Sequence, residues 1–148
     1  MLSVVPDTGV LVSGAINSQG NPYRIIKAWR DGELSLVVCP QLLDELRSVL
    51  ARPRLRHFIS EEDGQEFGDA LALAADVRDN PDVIPGLVPD DPGDDYLVAL
   101  ARETGADYLL ASDQHLVGLE SPRPPVIAPS VLVGELERRR VEAHELGG

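Results

Sequence analysis

Asp7 follows the apolar run LSVVP directly, and Asp113 follows DYLLA one serine later. Asp94 and Asp95 close the run DDPGDD, which leads straight into YLVALA, and Glu45 lies inside PQLLDELRSVL. Carboxylates gathered in one place repel one another unless a cation lies among them. Four aspartates at 90–95 exceed what a helix start needs, since one capping aspartate satisfies its free N–H groups and dipole. Each acid also has an ordinary structural role. Asp7 suits a turn that closes a strand, Glu45 a helix surface, and Asp94 or Asp95 a cap, while Asp90 and Asp91 read as loop charge. What distinguishes the functional reading is joint placement, and that depends on the elements carrying them.

At 100° per residue, Leu42, Leu43, Leu46, Val49 and Leu50 share one side of a helix. Asp44 then points away from that side, and Glu45 sits at its edge, within reach of a cleft beside the core. Apolar runs at 2–6, 34–39 and 107–111 predict buried strands, with a weaker extended piece near 82–88 and a short strand near 125–127. Helical spacing covers 21–31, roughly 40–51, 61–77 and 94–104, and a last helix begins at about 129. The strands alternate with helices and are continuously apolar, which predicts an α/β fold: a three-layer sandwich around a central parallel sheet. Such sheets bind ligands at the carboxyl ends of their strands, where strand order reverses. Asp7 and Asp113 fall at two such ends.

The 148 residues show no repeat or linker, so a single domain is expected over 1–148. Apolar residues make up 43% of the chain and few are aromatic, which predicts an aliphatic core. No apolar run has membrane-spanning length, and MLSVVPDTGV lacks the basic start of a signal peptide. Cys39 stands alone, which excludes a disulfide framework and a cysteine zinc site within one chain. A cytoplasmic protein is the expectation. The net charge of −12 suits a protein that concentrates cations, and taken alone it opposes nucleic acid.

The order VVPDTGVLVSG, LLDEL, DPGDDYLVALARETGADYLLASDQHL resembles the PIN domain family. The nearest branch is that of toxin components of toxin–antitoxin pairs, related to the VapC toxins. The likeness spans nearly the whole chain and is densest at 91–116. It implies a PIN-like, Rossmann-like fold and a metal-dependent ribonuclease. Four acidic positions then hold Mg²⁺ or Mn²⁺ and do the catalytic work: Asp7, Glu45, Asp94 and Asp113, with Asp95 assisting. The resemblance further implies an RNA substrate, a small antitoxin as partner and a homodimer. The chain departs from the family at three places. Gly9 replaces Asn or Ser, Ala111 replaces Thr with Ser112 following it, and Pro6 removes a ladder donor from a strand expected to be central.

Phosphodiester cleavage needs an activated nucleophile and charge relief on the phosphoryl oxygens, both of which a divalent cation supplies. RNA also needs positive charge. Arg47, Arg52, Arg54 and Arg56, in RSVLARPRLRH downstream of Glu45, are the candidates for RNA binding, with a solvated helix end as the alternative. Arg138, Arg139 and Arg140 suit surface ion pairs, and the three histidines lack metal-ligand spacing. A phospho-acceptor domain of receiver type also gathers acids at strand ends, but it employs a late lysine, and Lys27 is the only lysine. The phosphate-loop, dinucleotide and nucleophile-elbow motifs are absent. A catalytically silent PIN fold that binds a partner is the remaining alternative, on the strength of Gly9 and Ala111.

Overall fold

In the computed structural model, β1 (Leu2–Pro6) lies at the centre of a five-stranded parallel sheet of order β3-β2-β1-β4-β5. Its neighbours are β2 (Leu34–Val38) and β4 (Tyr108–Leu110), with β3 (Asp76–Val77) and β5 (Val126–Ile127) at the edges. Residues 1–82, 95–112 and 124–147 are described, except the side chains of 95, 146 and 147. The extended piece expected near 82–88 and the greater part of DDPGDD lie outside them.

Strands β1 and β2 are buried at four of five positions, as a sheet covered on both faces requires. The helices are α1 (Thr8–Ile16), α2 (Asn21–Arg30), α3 (Pro40–Leu50), α4 (Glu61–Ala74), α5 (Asp95–Thr104) and α6 (Pro129–Gly147), with a 3₁₀ turn at Pro53–His57. Helix α2 packs on β2, α1 and α6, whereas α5 lies against β1, β2 and β4. Chain direction across the sheet reverses at β1, and right-handed crossovers then place α5 on the face opposite α2. The core is aliphatic, and the largest of its fully buried side chains is Tyr96.

Local chemistry explains the element ends. Gly32 (φ +79°) and Gly105 (φ +68°) supply the left-handed residue that turns α2 into β2 and α5 towards β4. Ser60 caps α4 by accepting from the Asp63 amide. Asp107 locks β4 onto β1: its amide donates to the Ser3 carbonyl at 2.8 Å, and its Oδ2 accepts from the Ser3 amide at 2.8 Å.

Three differences from the sequence expectations stand out. Helix α1 forms directly after Asp7, where periodicity marks no element. The helix expected over 61–77 stops at Ala74, because Ala75 is extended and Asp76–Val77 pairs with Val37 and Val38. Pro6 fits a central strand because the amide it lacks would face β2. Asp7, next along, donates to Leu110 on β4, and the β1–β2 register runs only from Leu2↔Leu34 to Val4↔Leu36.

Candidate active site

Asp7 stands at the carboxyl end of β1, beside the point where strand order reverses. It is the only buried charged residue among those described, 6% exposed. Its backbone is extended, and its Oδ1 accepts from the Val10 amide at 2.7 Å, so Asp7 is also the N-cap of α1. The strand-closing role and the helix cap are thus one role.

The residue after it reaches across to α3. Thr8 Oγ1 donates to Glu45 Oε2 at 3.0 Å, and the Tyr96 hydroxyl from α5 donates to the same oxygen at 2.6 Å. Glu45 is half-buried and Asp44 exposed, as the helical spacing predicts. Thr8, the residue after Asp7, thus ties the start of α1 to Glu45 on α3. Burial first, and then the hydrogen bond and charge of Glu45, push the Tyr96 phenol far above its usual range. It remains a protonated donor at neutral pH. Cys39 occupies the N-cap position of α3 with no side-chain cap hydrogen bond, and burial pushes its thiol up as well.

Asp94 and Asp113 lie outside the described residues. Asp95 opens α5, its side chain likewise outside them. Ser112 is described. A Cβ built on Gly9 would lie 3.2 Å from Ser112 Oγ and 3.6 Å from Asp7 Oδ1. Gly9 thus adjoins Ser112, the hydroxyl that follows the Ala111 departure, and a side chain at position 9 would press against it.

The arginines disperse. Arg47 donates to Asp69 Oδ1 on α4 at 2.9 Å. Arg56 donates to the Leu50 carbonyl, and its Nε and Nη1 are buried with no hydrogen-bond partner among the described residues. Arg52 and Arg54 are exposed. A 3₁₀ turn repeats every three residues, so positions two apart do not share a face. This is not the extended stretch that would align Arg52, Arg54 and Arg56.

Spacing does not reveal Tyr96 and Thr8 as site residues. The available signal was a tyrosine in the first turn of an otherwise aliphatic helix, since a buried phenol needs a polar partner. Among the described residues no three acidic, histidine or cysteine side chains converge as a metal cluster. The donors that do converge are carboxylate and hydroxyl oxygens, a set that fits a hard divalent cation and not a soft one.

The sequence profile of the PIN domain matches residues 3–115. No curated protein matches the chain. Among solved structures, PAE2754 from Pyrobaculum aerophilum superposes with a TM-score of 0.64 at 12% identity, covering 93% of this chain and 90% of that one. VapBC2 from Rickettsia felis, bound to a DNA fragment from its promoter, gives 0.59 at 13% identity over 86% of this chain and 98% of that one. VapC20 from Mycobacterium tuberculosis, a toxin that cleaves the sarcin–ricin loop, gives 0.50 at 14% identity over 74% and 89%. At these identities the likeness is one of fold.

Proposed function

The chain belongs to the PIN domain family, and on that premise we propose that it is a divalent-metal-dependent endoribonuclease, the toxin of a toxin–antitoxin pair. The observation that carries this reading is the buried carboxylate of Asp7 at the reversal point of the sheet, joined through Thr8 to Glu45. Carboxylate oxygens at the carboxyl end of a central strand are the ligands a hard divalent cation takes.

Asp7, Glu45, Asp94 and Asp113 would hold Mg²⁺ or Mn²⁺, with Asp95 beside them. The metal, when bound, lowers the pKa of a coordinated water and relieves charge on the phosphate oxygens. The chain's own work is placement. Asp7 is fixed by its cap hydrogen bond to α1, and Glu45 by two hydroxyls from separate helices. The substrate class is RNA, held in part by exposed Arg52 and Arg54. A small antitoxin would inhibit the enzyme in the cytoplasm, and two copies would form a homodimer. No helix among the described residues is long and apolar enough to cross a membrane.

The test is direct. Purified protein incubated with a panel of single-stranded RNAs should cut at least one in Mg²⁺ or Mn²⁺, and EDTA should stop it. Metal should also raise the melting temperature, less so in Asp94→Asn and nearly undiminished in Asp90→Asn. Metal-dependent stabilisation with no cleavage of any RNA would favour the silent binding module.

A further inference from the structure

Two hydroxyls from opposite sides of the chain end on one atom. Thr8 on α1 and Tyr96 on α5 both donate to Oε2 of Glu45, at 3.0 and 2.6 Å. The other oxygen, Oε1, accepts no hydrogen bond from any described residue. A carboxylate oxygen offers two lone pairs, and the two donors occupy both on Oε2. The shorter bond has the length of a charge-assisted O–H···O⁻ contact.

We propose that Thr8 and Tyr96 are positioning residues that reserve Oε2 of Glu45 and present Oε1 alone, so that Glu45 binds a divalent cation through one oxygen. This rests on the metal site of the proposed function and adds a consequence for which metal is taken. Mg²⁺ demands near-ideal octahedral geometry, which a two-oxygen carboxylate bite distorts, whereas Ca²⁺ accepts one or two carboxylate oxygens with looser geometry. Mn²⁺ shares the octahedral oxygen preference. Locking Oε2 therefore selects Mg²⁺ and Mn²⁺ against Ca²⁺. A free glutamate with rotatable side-chain bonds would lose that discrimination.

The experiment is calorimetric titration of the full chain with Mn²⁺ and with Ca²⁺, with no RNA present. It compares wild type, Tyr96→Phe, Thr8→Val and Thr8→Ser. Tyr96→Phe keeps the buried ring and Thr8→Val the side-chain shape, and far-UV circular dichroism checks each fold. Tyr96→Phe should weaken Mn²⁺ binding about 10-fold, the scale of losing a partner that orients a ligand. Ca²⁺ affinity should hold or rise, so the Mn²⁺ to Ca²⁺ preference narrows. Thr8→Val should act in the same direction, and Thr8→Ser, which restores the donor, should keep the wild-type preference. In a Glu45→Gln background Tyr96→Phe should change nothing further. If wild type binds Mn²⁺ and Asp7→Asn abolishes this, but the preference is unmoved in both Tyr96→Phe and Thr8→Val, the positioning inference is wrong and the metal site stands. If wild type binds neither ion, both fall. Should Tyr96→Phe not fold, Thr8→Val and Thr8→Ser carry the same comparison.

Discussion

Asp7 caps α1 and, in the proposed function, holds the metal, and one substitution can separate these two tasks. Asparagine caps a helix about as well as aspartate, so Asp7→Asn keeps an acceptor for the Val10 amide and removes only the charge. The metal-free variant should still fold with α1 capped, while its stabilisation by Mn²⁺ disappears. Ribonuclease activity should fall by more than about 100-fold, beyond what the loss of an orienting partner costs. A thermal melt with and without Mn²⁺ and an RNA cleavage assay check the pair. Cys39 gives a second residue-scale expectation. Burial raises its folded pKa, so its contribution to stability is full below the unfolded thiol pKa of about 8.5 and is lost as pH rises towards the folded value. At pH 8 a disulfide reagent should leave the native thiol untouched and modify it at once in denaturant. Immediate reaction of the native protein would contradict its burial. How far such residues can be read from sequence depends on the range of their interactions. A strand end and a helical wheel place Asp7 and Glu45 by local rules. Tyr96 meets Glu45 across 51 positions, and no periodicity encodes that distance.

Among the elements, α1 and α2 show why spacing fails where packing is closest. Helix α1 reads TGVLVSGAI, in which two glycines and two valines lower helix propensity, and no clean apolar stripe stands against a polar one. It forms because Asp7 caps it and because Gly14 lets α2 approach. A Cβ at Gly14 would lie 2.8 Å from Ile26 Cγ1 and 3.2 Å from the Pro22 carbonyl oxygen. Gly14→Ala would be stabilising on an isolated helix. Here it should destabilise the protein by about 1–3 kcal/mol, the cost of overpacking, measured by urea unfolding. The opposite sign would mean that α2 can shift at no cost. At the other boundary, residues 75–77 continue the alanine-rich pattern of α4, yet they leave it to pair with β2. Tertiary pairing overrides propensity there. By contrast α2 and α3 were legible within a residue or two, since each carries one buried face, and α5 through its continuous apolar run, buried from Tyr96 to Ala101.

For the whole molecule, alternation of apolar strands with helices was enough to predict a parallel sheet with helices on both faces. The order β3-β2-β1-β4-β5 was not readable, because strand order is set by crossovers that leave no mark on local composition. Net charge is another property of the whole. At −12, the surface opposes a polyanion everywhere except at local positive patches, and Arg52 and Arg54 are exposed cations beyond the helix that bears Glu45. Arg52→Ala with Arg54→Ala should weaken RNA binding and make its logarithmic salt dependence shallower by about 1.4, two single-strand phosphate contacts. Filter binding over a salt series, in an Asp7→Asn background to suppress cleavage, gives both quantities. An unchanged slope would place the RNA path elsewhere. The central position of β1 also sets a timetable. As the chain leaves the ribosome, β1 can pair with β2 and β2 with β3, but the other edge of β1 stays bare until Tyr108–Leu110 arrives. Seventy-odd residues separate Val38 from Leu110, roughly 4–14 s of synthesis at 5–20 residues per second. Through that interval Asp7 has no Leu110 carbonyl to bind, and for most of it Glu45 has no Tyr96. On the proposed function, the nascent chain therefore carries half a site while tethered to the ribosome, and the complete one only after most of the polypeptide has emerged.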